Sequence, residues 1–426
     1  MKILLIAYSF PPLQDPQSLR WYYLSNALSE LGMEIDVLTV QHPEKQAWPF
    51  HKNIRIFRIF PGPVEYIALR AKWDMGVEAN GNEKIRRSAR FKILKSLYWG
   101  ARKLGGHVLP GDIRTEWFPL VLRYIAKYIE LKKYHYILTS HEPWVDSLLG
   151  LYLKVKHPKI KWIADFGDPY VALYTPRHKL FFENRFEKSI YEKADMLIFT
   201  HPQVVHHLDR KYPFIRDKKI VLIAQGFSYG LSREGKHVES RNKIFTMTYA
   251  GTFYRDFRNP SNLIQALSKL EFDYRFLLIG RNEGFLKDFE AIGEKCEFLG
   301  YMDHFKVLHL ERESDVLIHL SNRNGVQIPG KIYEYLGSRR PILCITNNTL
   351  DKTGDLIKDL KMGIATPDHP DEIKQAIERL YRGWKKEKGR VDISFEKLYD
   401  YSWEKKAGVL YENLREAWNS SSIRGF

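Results

Sequence analysis

Residues 1–40 read MKILLIAYSFPPLQDPQSLRWYYLSNALSELGMEIDVLTV, and this stretch decides the fold class. Lys2–Tyr8 is apolar and rich in strand formers. Pro11 and Pro12 interrupt the chain, and Gln17–Leu31 then carries Leu24, Ala27, Leu28 and Leu31 at helical spacing. Gly32 stands where a helix C-cap glycine belongs, and Glu34–Val40 reads as the next strand. Strand, loop, helix and strand in this order make a parallel-sheet unit.

The pattern extends outward. Asn53–Phe60, His135–Thr139, Lys161–Asp165 and Met196–Thr200 read as strands, separated by helix-length segments Phe118–Leu131, Val145–Val155 and Leu180–Ala194. One doubly wound α/β domain over residues 1–230 accounts for them. Ser228–Lys243 is polar and without periodicity, as a connection would be. The strand candidates Phe245–Ala250, Tyr274–Gly280, Asp315–Leu320 and Pro341–Thr346 then alternate with helices Ser261–Leu270, Lys331–Gly337 and Asp371–Lys385. That is a second α/β domain, residues 243–395. The expected architecture is two Rossmann-like domains with a cleft between them, followed by a terminal segment, residues 396–426. There Trp403, Val409, Leu410 and Leu414 predict a packed helix.

Composition narrows the class. Of 426 residues, 44% are hydrophobic and 14% aromatic, enough for large cores and too many for a disordered chain. Two cysteines, Cys296 and Cys344, exclude a disulfide scaffold or a Cys-rich zinc fold and favour a reducing compartment. No apolar run approaches the ~18–20 residues that span a bilayer. Met1–Ala7 reads as a first strand and not a signal peptide, so a cytoplasmic protein is expected. The net charge of +16 calls for an anionic partner: nucleic acid, a membrane surface or phosphorylated small molecules. Lys84 to Lys103 holds eight Lys/Arg and no Asp or Glu, with Phe91, Leu94, Leu97, Tyr98, Ala101 and Leu104 forming a stripe. Such a helix either lies peripherally on the anionic inner face of the cell membrane or packs its stripe on the core. No RNA- or DNA-binding motif accompanies the charge, and nucleic acid is not expected as a partner.

Several chemistries are excluded by spacing. There is no G-x-G-x-x-G dinucleotide loop, no P-loop, no D-x-D, no zinc-ligand spacing and no G-x-S-x-G. By contrast, Ile328–Leu343, IPGKIYEYLGSRRPIL, opens a helix at Lys331 after a Pro329-Gly330 turn. A cation and free N–H groups at a helix start suit a diphosphate, and Glu334 one turn on can accept from a ribose diol. Alternatively, Glu334 only complements the helix dipole and Lys331 is solvated. His141 follows a strand end, where open α/β sheets place ligands.

Four segments resemble retaining glycosyltransferases of family 4. Met1–Leu31 looks like their opening strand, Pro-Pro loop and helix with an early Arg. Trp162–Tyr170, WIADFGDPY, is similar to the W-x-A-D-F-R-D-P-W segment of bacterial members that build surface polysaccharides. Met247–Arg258, MTYAGTFYRDFR, resembles the donor loop, and Ile328–Leu343 is close to the P-x-K-[IL]-[FY]-E-Y-L-x-x-[GR]-[RK]-P-[IV]-L signature. The resemblance implies a GT-B fold whose C-terminal helix crosses back to the first domain. It implies a metal-independent enzyme without a cofactor, moving a sugar from a nucleotide-diphosphate-sugar to a glycan or polyprenyl-linked acceptor in surface polysaccharide or lipopolysaccharide synthesis. Residues 1–230 would bind acceptor and residues 243–395 the nucleotide sugar.

By this resemblance Lys331 binds the donor diphosphate and Glu334 the ribose. Four departures stand out. The first glutamate of the family's two-glutamate motif falls at Val326, leaving Asn324 or Gln327 to contact the donor sugar. The donor-loop Arg falls at Thr252, with Arg258 and Arg255 as replacement cations or merely an exposed pair. The glycine pair after Pro-Pro is replaced by Asp15-Pro16-Gln17-Ser18, and Gly167 replaces the usual Arg. His141 and Asp168 are the catalytic candidates. Arg20, Glu142 and Asp165 are the acceptor-side candidates, Arg20 alternatively forming a salt bridge, and Asp165 and Asp168 alternatively capping a helix. Two other readings of the chain remain: a nucleotide-sugar 2-epimerase of the same fold, and a catalytically inactive membrane-associated adaptor.

Overall fold

The structure is a computed structural model that describes residues 1–43, 47–67, 96, 99–100, 112–167, 177–230, 242–321, 328–347, 351–387 and 395–423. The chain divides into two compact units. The first comprises Met1–Gln225 and Trp403–Phe426, the second Gly226–Ser402.

In the first unit the order is β1 (Lys2–Ile6), α1 (Pro16–Glu30), β2 (Glu34–Val40), β3 (Ile54–Ile59), α2 (Trp117–Tyr128), β4 (Tyr136–His141), α3 (Trp144–Lys156), β5 (Lys161–Phe166), α4 (Arg177–Lys193), β6 (Met196–Phe199), α5 (Pro202–Lys211) and β7 (Lys219–Leu222). The strands form one parallel sheet in the order β3-β2-β1-β4-β5-β6-β7. β1, β4 and β5 are buried almost throughout, as parallel strands covered on both faces must be.

The second unit runs β8 (Phe245–Ala250), α6 (Ser261–Ser268), β9 (Tyr274–Ile279), β10 (Cys296–Gly300), α7 (His304–Glu313), β11 (Val316–Leu320), α8 (Gly330–Ser338), β12 (Ile342–Thr346), α9 (Lys352–Asp359), β13 (Gly363–Pro367) and α10 (Pro370–Glu387). Its sheet, again parallel, is ordered β10-β9-β8-β11-β12-β13. The two ends of this unit meet: the Phe227 amide donates to Tyr401 O at 3.4 Å, and Phe227 bridges Ser402.

The last helix, α11 (Trp403–Ile423), belongs to the first unit and covers α1. Trp403 stacks on Tyr23 with ring centroids 6.1 Å apart, and the Tyr136 hydroxyl donates to Leu414 O at 2.7 Å. α1 is buried on nearly every side: α11 packs on it, while Gln17 and Arg20 bond Asp165 on β5. At its start, Asp15 Oδ1 accepts from the Gln17 and Ser18 amides at 3.2 and 3.0 Å; at its end, Gly32 takes φ +88°.

Two alternative routes to helix stability diverge at glycine. In α3, Gly150 lies against the Trp162 indole, where an added Cβ has no room, and the indole N–H is committed to Thr139 Oγ1 at 3.0 Å. In α10, Gly383 faces open space. Gly383→Ala should therefore stabilise the second unit by ~0.5–1 kcal/mol, the ordinary helix-propensity gain. Gly150→Ala should instead destabilise the first unit by ~1–3 kcal/mol through overpacking. Opposite shifts of the thermal unfolding midpoint are the readout.

Candidate functional site

In a doubly wound sheet the chain order reverses beside the first strand, and ligands collect at the carboxyl ends there. The second unit reverses between β8 and β11, and the first between β1 and β4.

In the second unit, β8 ends at the loop Gly251–Arg258. Asn282, 1% exposed, ties this loop to the end of β9: its Nδ2 donates to Gly251 O at 2.8 Å and its Oδ1 accepts from the Phe253 amide at 2.8 Å. Gly280, at φ +123°, lets the two loops touch, since any Cβ there would strike Gly251 O. Within the loop the Tyr254 and Arg258 backbones pair at 3.1 and 3.0 Å. The Arg258 guanidinium donates to Thr252 O at 3.3 Å and lies beside the Tyr249 hydroxyl, whose ionisation also senses Lys331. Arg258 and Lys331 thus both act electrostatically on Tyr249. Arg255 is engaged elsewhere: Nη2 bonds Gly284 O at 3.0 Å and Asp288 at 2.9 Å, with the guanidinium over the Phe285 ring.

At the start of α8, Pro329 supplies no side-chain cap. Lys331 Nζ sits 2.6 Å from Glu334 Oε2 and 2.7 Å from Glu311 Oε1. The Lys331 and Glu334 side chains are 26% and 20% exposed, whereas Glu311 on α7 is fully buried. Burial alone would lower the Lys331 pKa, but the two carboxylates outweigh it and hold the ammonium above its usual range. Burial acts upward on Glu334 as well, yet Lys331 and His304 leave its pKa net lowered. For Glu311 burial wins, and its pKa is pushed up to about 7. Sequence reasoning missed Glu311 because it reads as one charge in the polar run LERESD. Its signal was helical spacing: His304, Val307 and Glu311 are the buried residues of α7. It also missed His319 on β11, buried, with no hydrogen-bond partner at Nε2 among the described residues.

In the first unit, β4 ends at His141. Its Nδ1 lies 3.0 Å from Ser147 Oγ, its ring is 4% exposed, and burial, helped by Arg114, lowers its pKa to about 3. Arg114, which sequence analysis did not single out, is gripped by Asp112 and acts electrostatically on Tyr8, His141 and Asp146. Asp146, wholly buried, accepts from the Tyr8 amide at 2.9 Å, and burial raises its pKa. Glu142 is exposed and holds φ +82°, unusual for a residue with a Cβ.

Arg20 and Asp165 form an ion pair with neither side chain exposed: Nε to Oδ2 at 2.9 Å and Nη2 to Oδ1 at 2.8 Å. Trp21 Nε1 and Gln17 Nε2 also donate to Asp165 Oδ2, at 2.9 and 3.0 Å. The departures at Gln17 and Gly167 are a single packing solution, because a Cβ on residue 167 would collide with Gln17 Oε1. Asp15 occupies the start of α1, so that helix terminus is capped from within. Asp168, Asn324, Val326, Gln327 and most of the basic stretch Lys84 to Lys103 lie outside the described residues. No helix among the described residues is long and apolar enough to cross a membrane.

Residues 244–383 match a family model described as "Glycosyl transferases group 1". No curated protein matches the chain by sequence. Among solved structures, sucrose-phosphate synthase from Thermosynechococcus elongatus is similar with a TM-score of 0.64 at 18% identity, covering 98% of this chain and 100% of that one. HepE from Anabaena, in complex with UDP and glucose, reaches 0.60 at 13%, covering 98% and 100%. WaaG, a glycosyltransferase involved in lipopolysaccharide biosynthesis, reaches 0.52 at 10%, covering 98% of each chain. The likeness over nearly the whole chain shows the fold to be GT-B, and the match to the group 1 glycosyl transferase model falls within the second unit.

Two variants test the first unit. Arg20→Ala should cost ~3–5 kcal/mol, since it strands the Asp165 carboxylate in the interior; chemical unfolding measures this. His141 titrates near 3 folded and ~6.5 unfolded, so stability held above ~6.5 is lost as pH falls toward 3. The loss can reach ~1.4 kcal/mol per pH unit, and His141→Asn should remove that share of the slope between pH 6.5 and 5.

Proposed function

We propose that the protein is a retaining glycosyltransferase that moves a sugar from a nucleotide-diphosphate-sugar to a glycan or polyprenyl-linked acceptor in surface polysaccharide synthesis. The observation that carries this reading is the Lys331–Glu334 pair at the start of α8, where Pro329 offers no side-chain cap, inside the segment that matches the family model.

The chemistry asked of these residues is electrostatic. As the sugar–phosphate bond breaks, negative charge grows on the leaving diphosphate. Lys331 and Arg258 would stabilise it, since positive charge aimed at a developing anion lowers a barrier. Glu334 would accept from the ribose hydroxyls, and Asn324 or Gln327 would contact the donor sugar. Of the two donor-loop arginines, Arg258 is the better placed, because Asp288 already engages Arg255. On the acceptor side His141 is neutral at physiological pH, and its lowered pKa leaves it a hydrogen-bonding group and neither a proton acceptor nor a cation. Arg20 and Asp165 would act as positioning residues, holding the ends of α1 and β5. No protein nucleophile is evident in the sequence, so retention would proceed by attack on the same face as the leaving group.

The test is thermal stabilisation by UDP-, GDP-, ADP- and CMP-sugars, with uridine nucleotides first because HepE is described in complex with UDP. A donor at 100 times its Kd should add ~2.7 kcal/mol, and Glu334→Ala should abolish the shift. No shift with any of the four, followed by no transfer when lipid-linked acceptor is added, overturns the reading.

A further inference from the structure

Among the described residues, Lys331 meets two carboxylates, Glu311 and Glu334, where an anionic donor is to bind. The two carboxylates differ. Glu334 is partly exposed and can be rehydrated; Glu311 has no exposed surface, and its Oε2 has no hydrogen-bond partner among the described residues. From α8 it faces Lys331, Glu334 and Tyr335, whose hydroxyl is engaged by Ile318 O at 3.3 Å and the Ala250 amide at 3.1 Å. From its own helix come Arg312, whose Nε donates to Leu308 O at 3.2 Å, and His304, which acts on Glu334 and is held toward neutrality by burial.

Resting on the donor-site reading above, we infer that Glu311 is a positioning residue that couples donor binding to uptake of one proton: the donor diphosphate takes over Lys331, and the buried carboxylate it displaces is protonated from solvent. The argument holds whichever way Lys331 moves. If the ammonium turns to the phosphates, Glu311 is left as an unpaired charge in the interior, which proteins avoid by neutralising the group. If it stays and is shared, two phosphate charges join the two carboxylates around it, and the carboxylate that water cannot reach is the one that gives way. An apo titration near 7 puts this uptake in the physiological range. The sign follows from linkage: below about pH 6 Glu311 already carries its proton and affinity is flat. Above about pH 7 each mole of donor bound takes up a proton, and affinity falls by up to tenfold per pH unit.

The experiment is calorimetric titration of the full chain with UDP-glucose, GDP-mannose and ADP-glucose, diphosphate diesters with no phosphate titrating near neutrality. It is run at about pH 7.5 in buffers of different ionisation enthalpy, then across pH. Between half a proton and one should be taken up per donor bound, and Glu311→Gln should bind with no buffer dependence and a flat pH profile. Donor binding without proton uptake overturns this inference and leaves the donor site standing, as does uptake that survives in Glu311→Gln. If none of the three nucleotide sugars binds, the donor-site reading falls and this inference with it. Should Glu311→Gln fail to fold, the buffer series on the unaltered protein decides alone.

Discussion

A charge removed from water has to be answered by another charge, and both units of this protein are organised around that requirement at the ends of their parallel strands. In the first unit the answer is complete. One guanidinium meets one carboxylate with two parallel hydrogen bonds, and Trp21 and Gln17 fill the remaining acceptor capacity. In the second unit it is incomplete among the described residues: two carboxylates surround one ammonium, and Glu311 Oε2 has no donor there. A balanced cluster locks helix α1 to strand β5. An unbalanced one stores a preference for a change in charge, which is what a ligand site needs and a scaffold does not.

The order of elements was legible because parallel strands buried on both faces carry long apolar runs. β1, β2, β8 and β9 could be read directly, and with them the doubly wound class. The elements that sequence reasoning passed over are β7, β10 and β13, with the helices α5, α7 and α9. β7 and β10 are sheet edges with mixed exposure, and β13, GIATP, contains a glycine and a proline that speak against a strand. Helix α1 was recognised by one apolar stripe, but polar residues on it are buried too: Gln17 and Arg20 bond Asp165 on β5, and α11 returns from the far end of the sequence to pack on the helix. Periodicity reports burial by near neighbours and is silent about such a partner.

At the candidate site, the local motif was readable and the distant member was not. Lys331 and Glu334 are one helical turn apart, so their pairing follows from spacing alone. Glu311 comes from a different helix and joins them only through the fold. The two departures at Gln17 and Gly167 likewise looked independent along the chain, yet the amide of one occupies the space that a side chain on the other would need. In each case the missing information was a contact between elements far apart in sequence.

The meeting of Phe227 with Tyr401 and Ser402 has a consequence for chain topology. The polypeptide leaves the first unit once and re-enters it once, and both crossings are fastened side by side within the second unit. The entropy of closing that long excursion is therefore met by contacts the second unit makes with itself. Residues 226–402 consequently have the character of an insertion with adjoining ends, the geometry that lets a domain be gained, exchanged or permuted without cutting the core of its host.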